Sequence, residues 1–147
     1  MSQAFDIATI TETQLLEIID AQKRGEEALK SVLLEMEWGA SVGLDEDALP
    51  LHNLLSNDGE RIDELGFIAQ MGTSLADEGP SGWRCIEHPE VVAIARLLGE
   101  VELASVGRRA RARGLDPHAM KTHVKRLREL IREAAANGGH LMISWNF

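Results

Sequence analysis

The residue types able to carry chemistry are few. The 147-residue chain has one cysteine, Cys85, and five histidines, His52, His88, His118, His123 and His140. Cys85-Ile86-Glu87-His88 has the spacing of half a metal site. A structural zinc centre takes four ligands, and the remaining histidines are isolated in sequence. His118 and His123 stand five apart and do not share a helix face as residues four apart would. His88-Pro89-Glu90 matches the His-x-Glu half of the zinc deaminase signature. That signature also needs a Pro-Cys-x-x-Cys pair, which a single upstream cysteine cannot supply. Cys85 with His88 names a thiol and a base, but activation needs a placed base and oxyanion donors, and no motif provides them. The carboxylate clusters Asp45-Glu46-Asp47 and Asp58-Gly59-Glu60 do not fit a calcium loop, and the 72–82 segment lacks the Gly-Lys-Ser/Thr ending of a phosphate loop. The sequence therefore assigns no catalytic residue, no cofactor site and no metal ligand. Cys85 reads as a small buried residue.

Charge is the stronger signal. The net charge is −9, with 6 Lys/Arg and 20 Asp/Glu in residues 1–100 against 9 and 4 in residues 101–147. Such asymmetry marks a partner surface, or two solvated or mutually attracting regions of one fold. The basic set is Arg108, Arg109, Arg111 and Arg113, with a stripe of Lys121, Lys125, Arg128 and Arg132. Overall acidity and the lack of interleaved aromatics argue against nucleic acid as its partner. Docking against the acidic part of the chain, or onto an acidic partner, is the expected role of this stripe.

The function these observations favour is a non-enzymatic interaction domain, of the immunity-protein or inhibitor kind. It would block a basic site on a protein partner with an acidic surface comprising Glu35, Glu37, Asp45, Glu46, Asp47, Asp58, Glu60, Asp63 and Glu64. Complementary charge would speed encounter and select the partner. The alternative is an enzyme of unknown class, its site assembled in three dimensions around His52, Cys85, His88 and the 72–82 segment.

The elements that would position these residues are mostly helical. Phe5, Ile7 and Ile10 suggest an edge strand. Thr11-Glu12-Thr13-Gln14 is a capping box opening a helix that ends at Lys23-Arg24-Gly25. A second helix spans 26–37. An acidic loop follows at 43–47, then one or two helical turns at 49–55, a turn at 56–59 and an apolar stretch from Ile62 to Met71. The 72–82 segment is rich in Gly, Ser, Asp and Pro and reads as a loop. Trp83 to Ile86 alternates as a short strand. Pro89 suits the first position of a helix carrying Val91, Ile94 and Leu98. Helical spacing continues through Val101, Leu103 and Val106, before a basic stretch at 107–114. Asp116 caps a long helix with Pro117 in its first turn. Met120, Val124, Leu127, Ile131 and Ala134 share one face of that helix, with His123 and Leu130 on the margin. Asn137-Gly138 supplies a left-handed stop. Leu141, Ile143, Trp145 and Phe147 then alternate as a half-buried strand.

These elements predict an α+β fold: a predominantly helical single compact domain over residues 1–147, with a small sheet that includes the C-terminal strand. No run approaches a membrane span of roughly 20 apolar residues. The N-terminus lacks a signal peptide, and one cysteine excludes an internal disulfide framework. A cytoplasmic protein without membrane contact is expected.

The segment order resembles the YfbM-like bacterial proteins, a domain-of-unknown-function family. Four stretches carry the resemblance: the apolar opening leading into the helix at Thr11; Leu51-His52-Asn53-Leu54-Leu55; Met71-Gly72-Thr73 with the later Pro89-Glu90-Val91 helix; and the long last helix, glycine turn and apolar final strand. The chain departs from the pattern in having no Tyr and no Ile-Tyr-Pro segment. The resemblance implies a compact α+β domain without an assigned activity. Some related small proteins lie among toxin–immunity genes, which points to the interaction role.

Overall fold

The computed structural model describes residues 4–56, 73–77 and 81–146. The apolar opening forms β1 (Ala4–Ile10). At its end Thr11 Oγ1 accepts from the Gln14 backbone N–H at 3.1 Å, while the Thr11 N–H donates to Gln14 Oε1 at 2.9 Å. This reciprocal cap starts α1 (Glu12–Arg24), which stops where Gly25 takes φ 126°, a conformation side chains disfavour. Next comes α2 (Glu26–Glu35), two residues shorter than the spacing predicts. The chain leaves it extended at Met36 to reach β1, where the Gly39 N–H donates to the Thr9 carbonyl at 3.1 Å. A Cβ on Gly39 would stand 2.3 Å from Thr9 Oγ1, so only glycine permits this approach.

The remaining elements are β2 (Ser41–Gly43), a 3-10 turn at Asp45–Asp47, α3 (Ala48–Ser56), β3 (Thr73–Asp77), β4 (Ser81–Ile86), α4 (His88–Gly99), α5 (Leu103–Ala112), α6 (Pro117–Ala136) and β5 (His140–Asn146). Asp116 caps α6 by accepting from the backbone N–H groups of His118 and Ala119. Gly138 supplies the left-handed stop at φ 68°.

Among the described residues the sheet has five strands in the order β2-β1-β5-β4-β3, every neighbouring pair antiparallel. Strand residues alternate between two cores. Ile7, Leu141, Ile143 and Ile86 face one core, built with α3, α4, α5 and α6. Ile10, Met142 and Cys85 face the other, built with Leu15 and Ile18 of α1 and Leu29 and Leu33 of α2. The result is an α+β fold of three layers, helices on both faces of an antiparallel sheet.

Several expectations change. β1 is an interior strand, bonded to both β2 and β5, because the C-terminal strand inserts beside it. β5 is central and buried on both faces over His140 to Ile143, since α1 and α2 cover the side that alternation leaves to solvent. The 72–82 segment is not wholly a loop: β3 lies within it, held mainly by its ladder to β4. The basic stretch at 107–114 mostly continues α5, and Pro89 is the second residue of α4, after His88. The turn at 57–59 and the apolar stretch at 62–71 lie outside the described residues.

Candidate functional site

Of the acidic residues expected to meet a partner, Glu35 ends α2 and Glu37 follows it, both exposed. Asp45, Glu46 and Asp47 form the 3-10 turn after β2, so the described set flanks the β2 edge of the sheet. Two of them have internal work. Asp45 Oδ1 accepts from the Phe5 N–H at 3.3 Å, and Asp47 Oδ2 lies 2.9 Å from His123 Nε2 of α6. Asp58, Glu60, Asp63 and Glu64 lie outside the described residues.

The structure adds acids that sequence reasoning missed. Glu12, Glu17 and Asp20 of α1 and Glu26 and Glu27 of α2 are exposed in the same helical layer as Glu35. Amphipathic periodicity in 12–37 contained this signal, because residues off the apolar stripe of two helices on one sheet face must share one outer surface. Asp6 joins the set at β1. Loss of hydration, then the neighbouring Asp45 carboxylate, raises its titration above the ordinary value. Within this layer stand two exposed apolar side chains, Leu16 at 57% and Leu34 at 78% exposure.

The basic residues lie across the sheet. Residues 103–136 carry nine Lys/Arg against three Asp/Glu, whereas residues 12–37 carry three against seven. The expected seam between the stripe and the acidic part is therefore not formed with the α1–α2 layer. Arg128 Nε instead donates to the Leu98 carbonyl at 3.0 Å and its guanidinium also reaches the Val101 carbonyl, satisfying the end of α4. Arg109 donates to the Leu54 carbonyl of α3 at 2.8 Å. The Lys121 stem lies over Gly107 of α5, with Cδ 3.3 Å from where a Cβ would stand. Exposed on this side are Arg108, Arg111, Arg113, Lys125, Arg126 and Arg132. The stripe is thus divided, partly internal capping and partly surface.

The residues of the enzymatic alternative are placed as follows. Cys85 is 3% exposed and packs with Met142 under α1 and α2. Burial, then the Glu87 and Glu90 carboxylates, push its thiol up to about 12, so it holds no thiolate at neutral pH. His52 sits on α3, in the opposite layer, and burial lowers its titration. His88 opens α4; its Nδ1 lies 3.0 Å from the Gly139 carbonyl, which makes Nδ1 the protonated nitrogen. No group of three or more metal-ligating side chains occurs among the described residues.

A polar joint that the sequence did not reveal links three segments. His140 is 4% exposed, the one buried polar residue among the described residues. Its Nδ1 accepts from the His88 backbone N–H at 2.9 Å, and its Nε2 lies 2.6 Å from Glu12 Oε2. Because Nδ1 is an acceptor, the proton sits on Nε2 and is donated to Glu12. A cleft of about 300 Å³ beside it is lined by Thr9, Thr11, Glu12, Gly39, Glu133 and Asn137. At the far end of β5 a cleft of about 330 Å³ is lined by Asp6, Trp83, Ser144, Trp145 and Asn146. Trp83 stacks on Trp38 at 5.6 Å, and the Arg84 guanidinium lies 5.3 Å from the centre of the Trp145 ring.

This arrangement, a five-stranded antiparallel sheet with its last strand in the middle and helices on both faces, is a YfbM-like fold. The chain superposes on the crystal structure of YfbM from Escherichia coli, a protein of unknown function. The TM-score is 0.64 and the sequence identity 14%, covering 99% of each chain. No protein-family model matches the chain, and no curated protein matches it. No helix among the described residues is long and apolar enough to cross a membrane.

Proposed function

We propose that the protein is a non-enzymatic interaction domain whose acidic surface occludes a basic site on a protein partner, as an immunity protein or inhibitor would. The observation that carries this reading is the sorting of charge across the sheet. Exposed carboxylates crowd the α1–α2 layer around Leu16 and Leu34, while much of the Lys/Arg lies in the opposite layer. Apolar anchors in a layer where acids outnumber cations, with Arg24 paired to Asp20 and Lys30 to Glu26, suit a partner presenting basic side chains around apolar contacts. Glu35, Glu37 and Glu46 are exposed carboxylates of the set expected from the sequence. Asp47, engaged by His123, would contribute less.

The test is capture of basic proteins encoded beside this gene, followed by calorimetry at low and raised salt. Wild type should bind one such protein saturably, more weakly as salt rises. A Glu27→Gln, Glu35→Gln, Glu37→Gln variant should lose about tenfold or more in affinity while keeping its circular dichroism, tenfold being about 1.4 kcal/mol. Binding indifferent to both salt and these substitutions would defeat the reading, as would no binding to any of the proteins.

A further inference from the structure

We infer that the basic outer face of α5 and α6 docks the acidic α1–α2 layer of a second copy of this chain, so that molecules associate head to tail. The inference goes beyond a basic partner, because it assigns an occupant to the basic face that reading leaves unused; on the acidic face a second copy and the basic partner would compete. Three features of the fold carry it.

The first is complementarity of charge within one sequence. Arg108, Arg111, Arg113, Lys125, Arg126 and Arg132 are exposed on one side, outnumbering the exposed Glu129 and Glu133 of α6, and Glu17, Glu27, Glu35 and Glu37 are exposed on the other, where Asp20 and Glu26 are already paired with Arg24 at 3.3 Å and Lys30 at 3.8 Å. Both surfaces are helical, so each offers rows of side chains rather than isolated charges. The second is apolar fit. Leu16 and Leu34 project from the acidic face, and the basic face offers the aliphatic stems of its Lys and Arg residues. The third is geometry. The two faces belong to opposite layers, one packed through Cys85 and Met142, the other through Ile86 and Ile143. A single molecule therefore cannot satisfy one with the other. A contact between two copies uses one face of each and leaves one face of each open, so it is heterologous and does not close into a dimer. The net charge of −9 repels copies at long range, which makes the contact orientation-dependent and weak.

The experiment is analytical ultracentrifugation of the full chain over a protein concentration series. At about 20 mM salt, where screening is slight, the weight-average mass should climb steadily above 16.2 kDa with concentration. At about 500 mM salt it should return to the monomer value. Glu27→Gln with Glu35→Gln blunts one face; Arg126→Gln with Arg132→Gln blunts the other. Neutral replacements are used because reversals would create a new complementary pair. Each variant alone should stay monomeric. An equimolar mixture should form a 1:1 species that stops growing, since one intact acidic face meets one intact basic face. A monomeric wild type at every concentration in low salt would overturn the inference, as would a closed dimer or two variants that fail to pair. Binding of a nucleic acid or acidic polymer to the basic face of a protein that stays monomeric would also overturn it. The Arg126→Gln, Arg132→Gln variant keeps the acidic face, so its capture of a basic partner reports on the interaction reading separately.

Discussion

The joint at His140 gives a sharp test of how the three layers are held. Its two ring nitrogens do different things: Nδ1 accepts the His88 N–H, and Nε2 donates to Glu12. His140→Leu removes both while keeping similar apolar bulk. The His88 amide then loses its acceptor in a half-buried position, which costs about 1–3 kcal/mol. The Glu12 carboxylate is 64% exposed and returns to water, so that bond contributes only about 0.5–1 kcal/mol. The expected loss is about 1.5–4 kcal/mol, read from urea unfolding followed by circular dichroism. Two further replacements separate the nitrogens. His140→Asn keeps an acceptor near the Nδ1 position, and His140→Gln keeps a donor near Nε2. Hydrogen exchange at the His88 amide should stay slow with Asn and accelerate with Leu and Gln. An amide equally protected in all three variants, or a His140→Leu protein within about 0.5 kcal/mol of wild type, the size of an ordinary surface substitution, would refute the assigned tautomer and its structural role.

Three other outcomes follow from geometry. Cys85 should resist aqueous thiol reagents in the native state and react stoichiometrically once unfolded, since burial and nearby carboxylates raise its thiol to about 12; rapid native labelling would contradict its placement. Asp6 titrates above its ordinary value in the folded protein, so its proton stabilises the fold below the unfolded value and that contribution fades as pH rises through the folded one. Asp6→Asn should therefore match or slightly exceed wild-type stability at pH 7, with the advantage shrinking as the pH is lowered through the acid range; an advantage that grows on acidification would reverse the sign. Gly82→Ala places a Cβ 2.3 Å from the Trp145 indole and should cost about 1–3 kcal/mol. In a Trp145→Ala background the same change should be nearly neutral, and an equal cost in both backgrounds would exclude the clash.

What the sequence disclosed and what it hid have separate physical causes. The reciprocal cap at Thr11, the Asp116 cap and the buried face of α6 are encoded by residues two to four apart, and each appears as expected. β3 was hidden because Thr73 to Asp77 contains one large apolar residue, Leu75, and forms chiefly through backbone pairing with β4. Alternation in β5 showed only one buried face, since whether Met142 meets solvent depends on α1 and α2, more than a hundred residues earlier. The His88–His140 joint spans 52 positions and the Glu12–His140 bond 128, distances at which spacing carries no information. The basic stripe was legible as a stripe. Its division into carbonyl caps and exposed charge depends on where α3 and α4 end.

The same long-range closure bears on function. Without β5 the described sheet is two separate ladders, β2-β1 and β4-β3, because β5 is the strand between them. Pairing β1 with β5 closes most of the chain in one step, a non-local contact whose loop entropy is met before its gain. The acidic hairpin α1–α2 packs on Ile10 of β1, Cys85 of β4 and Met142 of β5 together, so its seat is complete only after β5 inserts. The basic helices α5 and α6 share the opposite core with Leu141 and Ile143 of that strand. One strand therefore fixes both charged layers at once, and the sheet between them keeps the two charges from neutralising each other within the molecule. An acidic face held that way remains presented outward, as docking onto a basic partner requires, and the basic face is held in the same manner.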